Sequence, residues 1–166
     1  MAHAHNIFIR ALNTIYNTAP HIHTPTDIRD LLFYGTCWYE CVEHHHHAEE
    51  TDLFPAIERI AGKPGLMEQN VEQHHAFHPG FYAFRDYCRD TTVETWDAKV
   101  LMGIMDGFSM VLQKHLAEEI ETLLALDYCD SGALKKAVLD MEKKLMAGAD
   151  KVSLLKSSLW CVGYGN

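Results

Sequence analysis

Between residues 25 and 61 the apolar side chains Tyr39, Val42, Leu53 and Ile57 recur at helical spacing, and His46 and Glu50 fall in the same stripe. A helix buries such a stripe against its neighbours. A chain with this pattern must place an imidazole and a carboxylate in its core, where each unpartnered charge costs on the order of several kcal/mol. The local text is HHHHAEETDLFP, from His44 to Pro55, and it lies well inside the chain, so it is not a tag remnant. A helix turns about 100° per residue, so four consecutive imidazoles cannot share a face. Pairing His45 with Glu49 leads on to the polar Asp52, whereas pairing His46 with Glu50 leads into apolar residues. The pattern therefore predicts His46 and Glu50 in the core, with His44, His45 and His47 on the flank or surface.

Three other segments carry the same signature. Residues 66–89 align His74 and His78 with Met67, Val71 and Phe81. Residues 95–126 align His115 and Glu119 with Met105, Phe108, Val111, Leu112 and Leu126. Residues 4–19 align His5 with Phe8, Ile9 and Leu12. Partners four apart are about 40° apart in angle and about 6 Å in height, close enough to reach toward one centre. Counted back from the expected helix ends, all these groups fall in a band near the turn between the second and third helices.

Pro20, Pro25, Gly62, Pro64 and Gly65 punctuate the chain. Thr24-Pro25 opens the second helix, and Thr95 is read as the cap of the fourth. A fifth, more polar helical segment spans about residues 131–147, and no alternating strand pattern competes. The expected fold is all-α: an up-down-up-down four-helix bundle over about residues 3–126, with an additional C-terminal helical segment and tail (127–166), all in one domain.

Composition narrows the partners. Lys+Arg 14 against Asp+Glu 23 gives a net charge of −9, which argues against nucleic acid or an anionic membrane surface. No window of about 18 apolar residues suggests a span, and the N-terminus lacks a signal-peptide pattern. The five cysteines fit no disulfide framework or paired zinc knuckle, so a cytoplasmic protein with reduced thiols is expected.

The motifs His5-Asn6, HAEETDLFP, HHAFH and HLAEE, in this order, resemble the haemerythrin family, the haemerythrin-like HHE cation-binding domain. The resemblance covers roughly residues 3–126. It implies a helical bundle around a non-haem di-iron site whose members bind or activate O₂ or sense iron. By resemblance, His74, His78 and His115 would saturate one iron, His5 and His46 would hold the other, and Glu50 and Glu119 would bridge. Ferritin-like bundles instead use carboxylate-rich sites with two histidines. A nitrogen-rich set suits iron(II), with zinc and manganese as alternatives in vitro.

Two six-coordinate irons need about twelve bonds; five imidazoles, two bridging carboxylates and a bridging oxo or hydroxo supply all but one. That leaves room for O₂ or another small molecule, beside Ile9, Leu12, Tyr39 and Leu112. Reversible O₂ binding, a di-iron oxygenase or oxidase acting on a small organic substrate, and iron storage or sensing all remain open at this stage. Tyr16, Trp38 and Tyr39 are the expected polar contributors for an enzyme. Asn6 stands where many members have Asp, His75 is an alternative to His74, and Pro79 directly after His78 predicts a kink or bulge.

Overall fold

Thr24 opens the second helix as expected, its Oγ1 accepting from the backbone N–H of Asp27 at 3.2 Å. The structure is a computed structural model and describes residues 1–148. Its helices are α1 (Ala2–Thr18), α2 (Pro25–Ala48), α3 (Phe54–Ala61), α4 (Glu68–Asp90), α5 (Ala98–Asp106), α6 (Ser109–Leu124) and α7 (Ser131–Gly148). There is no strand among the described residues. α1, α2–α3, α4 and α5–α6 form the up-down-up-down bundle. α2 packs between α1 and α4, α4 packs on α6, and α6 closes the ring on α1. α7 lies across α3 and the end of α2. The tail with Trp160 and Tyr164 lies outside the described residues.

The second helix is not continuous. A π-helical turn, Glu49–Leu53, joins α2 to α3, with the Phe54 N–H donating to the Glu49 carbonyl five residues back. Pro79, where an irregularity was expected, sits inside an unbroken α4. Its ring leaves the carbonyl of His75 without an intrahelical donor, and His75 is exposed, so water can take that place.

The fourth segment differs from expectation as well. It breaks at Gly107–Phe108, where the Ser109 hydroxyl donates back to the Met105 carbonyl. Its cap is Asp97 rather than Thr95, with Oδ1 accepting from Lys99 N at 2.8 Å and Val100 N at 3.4 Å. Beyond the break Leu112, His115 and Glu119 keep the expected inward face, whereas Val111, expected inside, is exposed. No helix among the described residues is long and apolar enough to cross a membrane.

The core has two apolar halves. One is built from Phe8, Leu12 and Ile15 of α1, Leu31 to Val42 of α2, Phe77 to Cys88 of α4, and Leu101 to Leu116 of the fourth segment. The other contains Ala48, Leu53, Phe54, Ile57, Met67, Leu126 and Met141. Polar residues form the layer between them. Next to that layer Gly80 meets Phe108: a Cβ built there would lie 2.7 Å from the Phe108 Cβ. That atom is fixed to the backbone, so Gly80→Ala forces the helices apart and should cost about 1–3 kcal/mol in denaturant unfolding. Gly103 has open space around it, so Gly103→Ala should instead be neutral or stabilising by up to about 1 kcal/mol.

Candidate metal centre

The polar layer consists of His5 (α1), His45 and His46 (α2), Glu49 (the π turn), His74 (α4), and His115 and Glu119 (α6), all buried. They divide into two groups. His46, Glu49, His74 and His115 offer donor atoms that all lie within 4.8 Å of one another, as do His5, His45 and Glu49. Glu49 belongs to both, and Glu119 Oε2 lies 3.1 Å from His5 Nε2.

Five of the expected ligands are thus in one place: His5, His46, His74, His115 and Glu119. Glu50 and His78 are not. Glu50 sits at the rim, half-buried, with Oε1 2.6 Å from His74 Nδ1. His78 faces the flank of α4, stacked on Tyr82 with ring centroids 5.0 Å apart. Of the two alternatives on α4, His74 lies in the buried layer and His75 is exposed.

His45 and Glu49 lie in the layer although the single apolar stripe of the segment predicts neither there. One buried stripe does not describe this helix. α2 has neighbours on two sides, and residues about 100° apart can each face one of them. His45 points at α1, 5.4 Å from the His5 ring and 5.0 Å from Phe8. His46 points at α4 and α6, 4.4 Å from the His74 ring and 5.2 Å from His115. Glu49, one α-helical step after His45, faces inward, and Glu50, next in the π turn, lies at the rim. The discarded His45–Glu49 spacing was the available signal, and its atoms approach to 2.8 Å.

Three imidazoles have their outer nitrogen engaged. His5 Nδ1 donates to the Leu116 carbonyl at 2.9 Å, and His74 Nδ1 donates to Glu50. His115 Nδ1 faces Gln73 Oε1 at 3.2 Å, and the Gln73 amide donates to Glu118 Oε2 at 2.5 Å. Because Glu118 only accepts, the Gln73 oxygen must face His115, which therefore donates.

Burial pushes His74 down to about 4 and His115 down to about 3, so both are neutral at pH 7 with one proton each. Both protons point outward. Their two Nε2 atoms nevertheless face one another at 3.0 Å, acceptor against acceptor. Both nitrogens of His46 and all four oxygens of Glu49 and Glu119 also lack a hydrogen-bond partner. Burial, then the charge of Glu119, pushes the Glu49 carboxyl well above the usual carboxylate range. The inward nitrogens of His74 and His115 face one another with no proton between them, and a cation would displace the proton that burial keeps on Glu49. Imidazole with carboxylate is a donor set that iron accepts. The residues fit a metal centre.

Beside the layer, Ile9, Leu12, Leu112 and Leu116 line a cleft of about 80 Å³ between α1 and α6, with Asn13, Ser109 and Gln113. Three of the four expected pocket residues meet here. Tyr39 does not, since it packs on Phe81 with centroids 4.5 Å apart, under the Arg85 guanidinium.

Comparison with known proteins agrees with the geometry. "Dimeric xanthone biosynthesis cluster protein R11" from Cryptosporiopsis sp. (strain 8999) is 38% identical over 135 residues, which is 81% of this chain and 52% of that protein. The chain therefore spans about half the length of this curated relative. No solved structure gives a significant match. The profile of the hemerythrin HHE cation binding domain matches residues 1–126, the same stretch that forms the bundle and carries every residue of the buried layer. The chain belongs to the hemerythrin HHE cation-binding domain family.

Proposed function

We propose that the chain is a non-haem di-iron protein that binds or activates O₂ in the buried layer. The observation that carries this reading is the pair of donor groups joined through Glu49. His46, His74 and His115 would hold one iron and His5 and His45 the other, with Glu49 shared and Glu119 placed beside His5 to complete the bridge. Bound iron would supply the electrons that O₂ accepts.

The chain's own contribution is asymmetry and dryness. One group has three imidazoles and the other two, so the less crowded side is the one next to α1. The α1–α6 cleft opens on that side: Leu116 both lines it and accepts from His5. A cleft of about 80 Å³ is large enough to admit O₂ or a comparably small molecule. Phe8 and Phe77 pack against the imidazoles and keep bulk water out.

A second reading, a di-iron oxygenase or oxidase, is favoured by two observations. The relative's name places it in a biosynthesis cluster, and Asn13, Ser109 and Gln113 give the cleft groups that can orient a substrate.

Iron-supplemented protein should carry about two irons per chain by metal analysis. Its reduced form should gain near-visible absorption on exposure to air. Deoxygenation that restores the reduced spectrum marks a carrier, while O₂ consumption that quickens with a small organic substrate marks an enzyme. A loaded, reduced protein inert to air would sink both and leave iron storage or sensing. Uptake of a single zinc despite ample iron would sink the di-iron assignment itself.

A further inference from the structure

The outward hydrogen bonds of the imidazoles are unequal, and the inequality follows the division of the site. In the three-imidazole group His74 donates to a carboxylate, Glu50, at 2.6 Å. His115 in the same group donates to Gln73, whose amide is polarised by Glu118 at 2.5 Å. In the two-imidazole group the outward acceptor of His5 is a neutral backbone carbonyl, Leu116. A carboxylate behind a ligating imidazole fixes the ring, selects the tautomer with its lone pair at the opposite nitrogen, and makes that nitrogen more basic. A neutral carbonyl fixes the ring with less polarisation.

We infer that Glu50, together with the Gln73–Glu118 pair, is a positioning element that makes the three-imidazole group the tighter of two unequal metal positions. This rests on the metal reading above. Glu50 then needs no direct contact with metal, although it is the residue that helical spacing would nominate as a ligand. Its side chain is 30% exposed, whereas Glu49 is fully buried between the two groups. The start of the π turn presents the two adjacent carboxylates to different tasks, one inward to the metal positions and one outward to hold His74. The two positions should fill in order, the His46–His74–His115 position first and the His5–His45 position second.

The test is a cobalt(II) titration of metal-free protein followed by ligand-field absorption, with imidazole ¹⁵N NMR of the metal-free form. The wild type should take up two ions in separated steps, with His74 protonated at Nδ1 before metal is added. Glu50→Ala should weaken the first step by about 10- to 100-fold, leave the second near its original position, and let His74 sample its other tautomer. Glu50→Gln keeps an accepting oxygen without the charge, so the tautomer should be retained and the affinity partly restored. Circular dichroism confirms that each variant is folded.

Two equivalent uptake steps in the wild type would overturn the ranking. An Ala variant with an unchanged first step and an unchanged His74 tautomer would overturn the role of Glu50. A wild-type protein that takes up no cobalt would instead overturn the metal reading on which the inference stands.

Discussion

Glu49→Gln should abolish retention of both metals while raising the melting temperature of the metal-free protein. The two effects have opposite signs because Glu49 would serve metal at the expense of the fold. Its carboxylate is the donor common to both groups, so removing it damages both positions at once. Without metal, both its oxygens are buried with no hydrogen-bond partner, and burial with the neighbouring Glu119 drives its carboxyl toward the neutral form. An amide of the same shape is neutral in the folded and the unfolded chain alike, so it removes the cost of either burying the carboxylate or protonating it at neutral pH. The relief should be about 1–3 kcal/mol, or a few degrees in Tm for a chain of this size. Metal analysis after dialysis against a chelator, with melting curves of both metal-free proteins, gives the comparison. Unchanged metal content would show that Glu49 is not the shared donor, and a lower melting temperature would show that its carboxylate already has a partner.

Metal-free protein should also be acid-sensitive in a window where the loaded protein is not. His45 and His74 are pushed down to about 4 and His115 to about 3, in each case chiefly by burial. In the unfolded chain they titrate near about 6.5. Between those limits the unfolded state binds more protons than the folded one, so stability falls as pH drops from about 6.5 toward about 4.

Glu49 works the other way. Its raised carboxyl stays protonated in the fold above the usual range, a contribution that is full at low pH and lost as pH rises. Glu119 is held low, its burial being outweighed by His5, and so adds to the acid loss as pH falls through the carboxylate range. Several imidazoles against one carboxyl leave the balance on the side of acid destabilisation, by several kcal/mol in order of magnitude. Helicity measured at pH 7, 6 and 5 should fall for the metal-free form and hold for the loaded one. A metal-free protein equally stable throughout would mean that the imidazoles are not buried neutral.

What the sequence made legible follows from which interactions set each feature. The bundle and the inward placement of His5, His46, His74, His115 and Glu119 came from spacings of three and four, which survive in α1, α2, α4 and α6 because burial enforces them. His45 was hidden because one stripe per helix was assumed, while α2 packs against two partners. Glu49 was hidden with His45, one α-helical step before it, because that frame leads on to the polar Asp52. His78 shares a straight-helix frame with His74, but its 40° offset carries it out to Tyr82. Pro79 proved a weak local signal, since the carbonyl it strands lies on an exposed side of α4.

The division of the core into two apolar halves has a consequence for cooperativity. Several groups of the intervening layer, without cations, face one another unpaired or acceptor against acceptor. The two halves are then joined by the helix backbones running through both and by ring contacts across the layer, such as those of His74 with Phe54 and Phe77. Metal bound across the layer would tie α1, α2, α4 and α6 at a single level, coupling the two halves more tightly. Loading would then register in the sharpness of unfolding as well as in its midpoint.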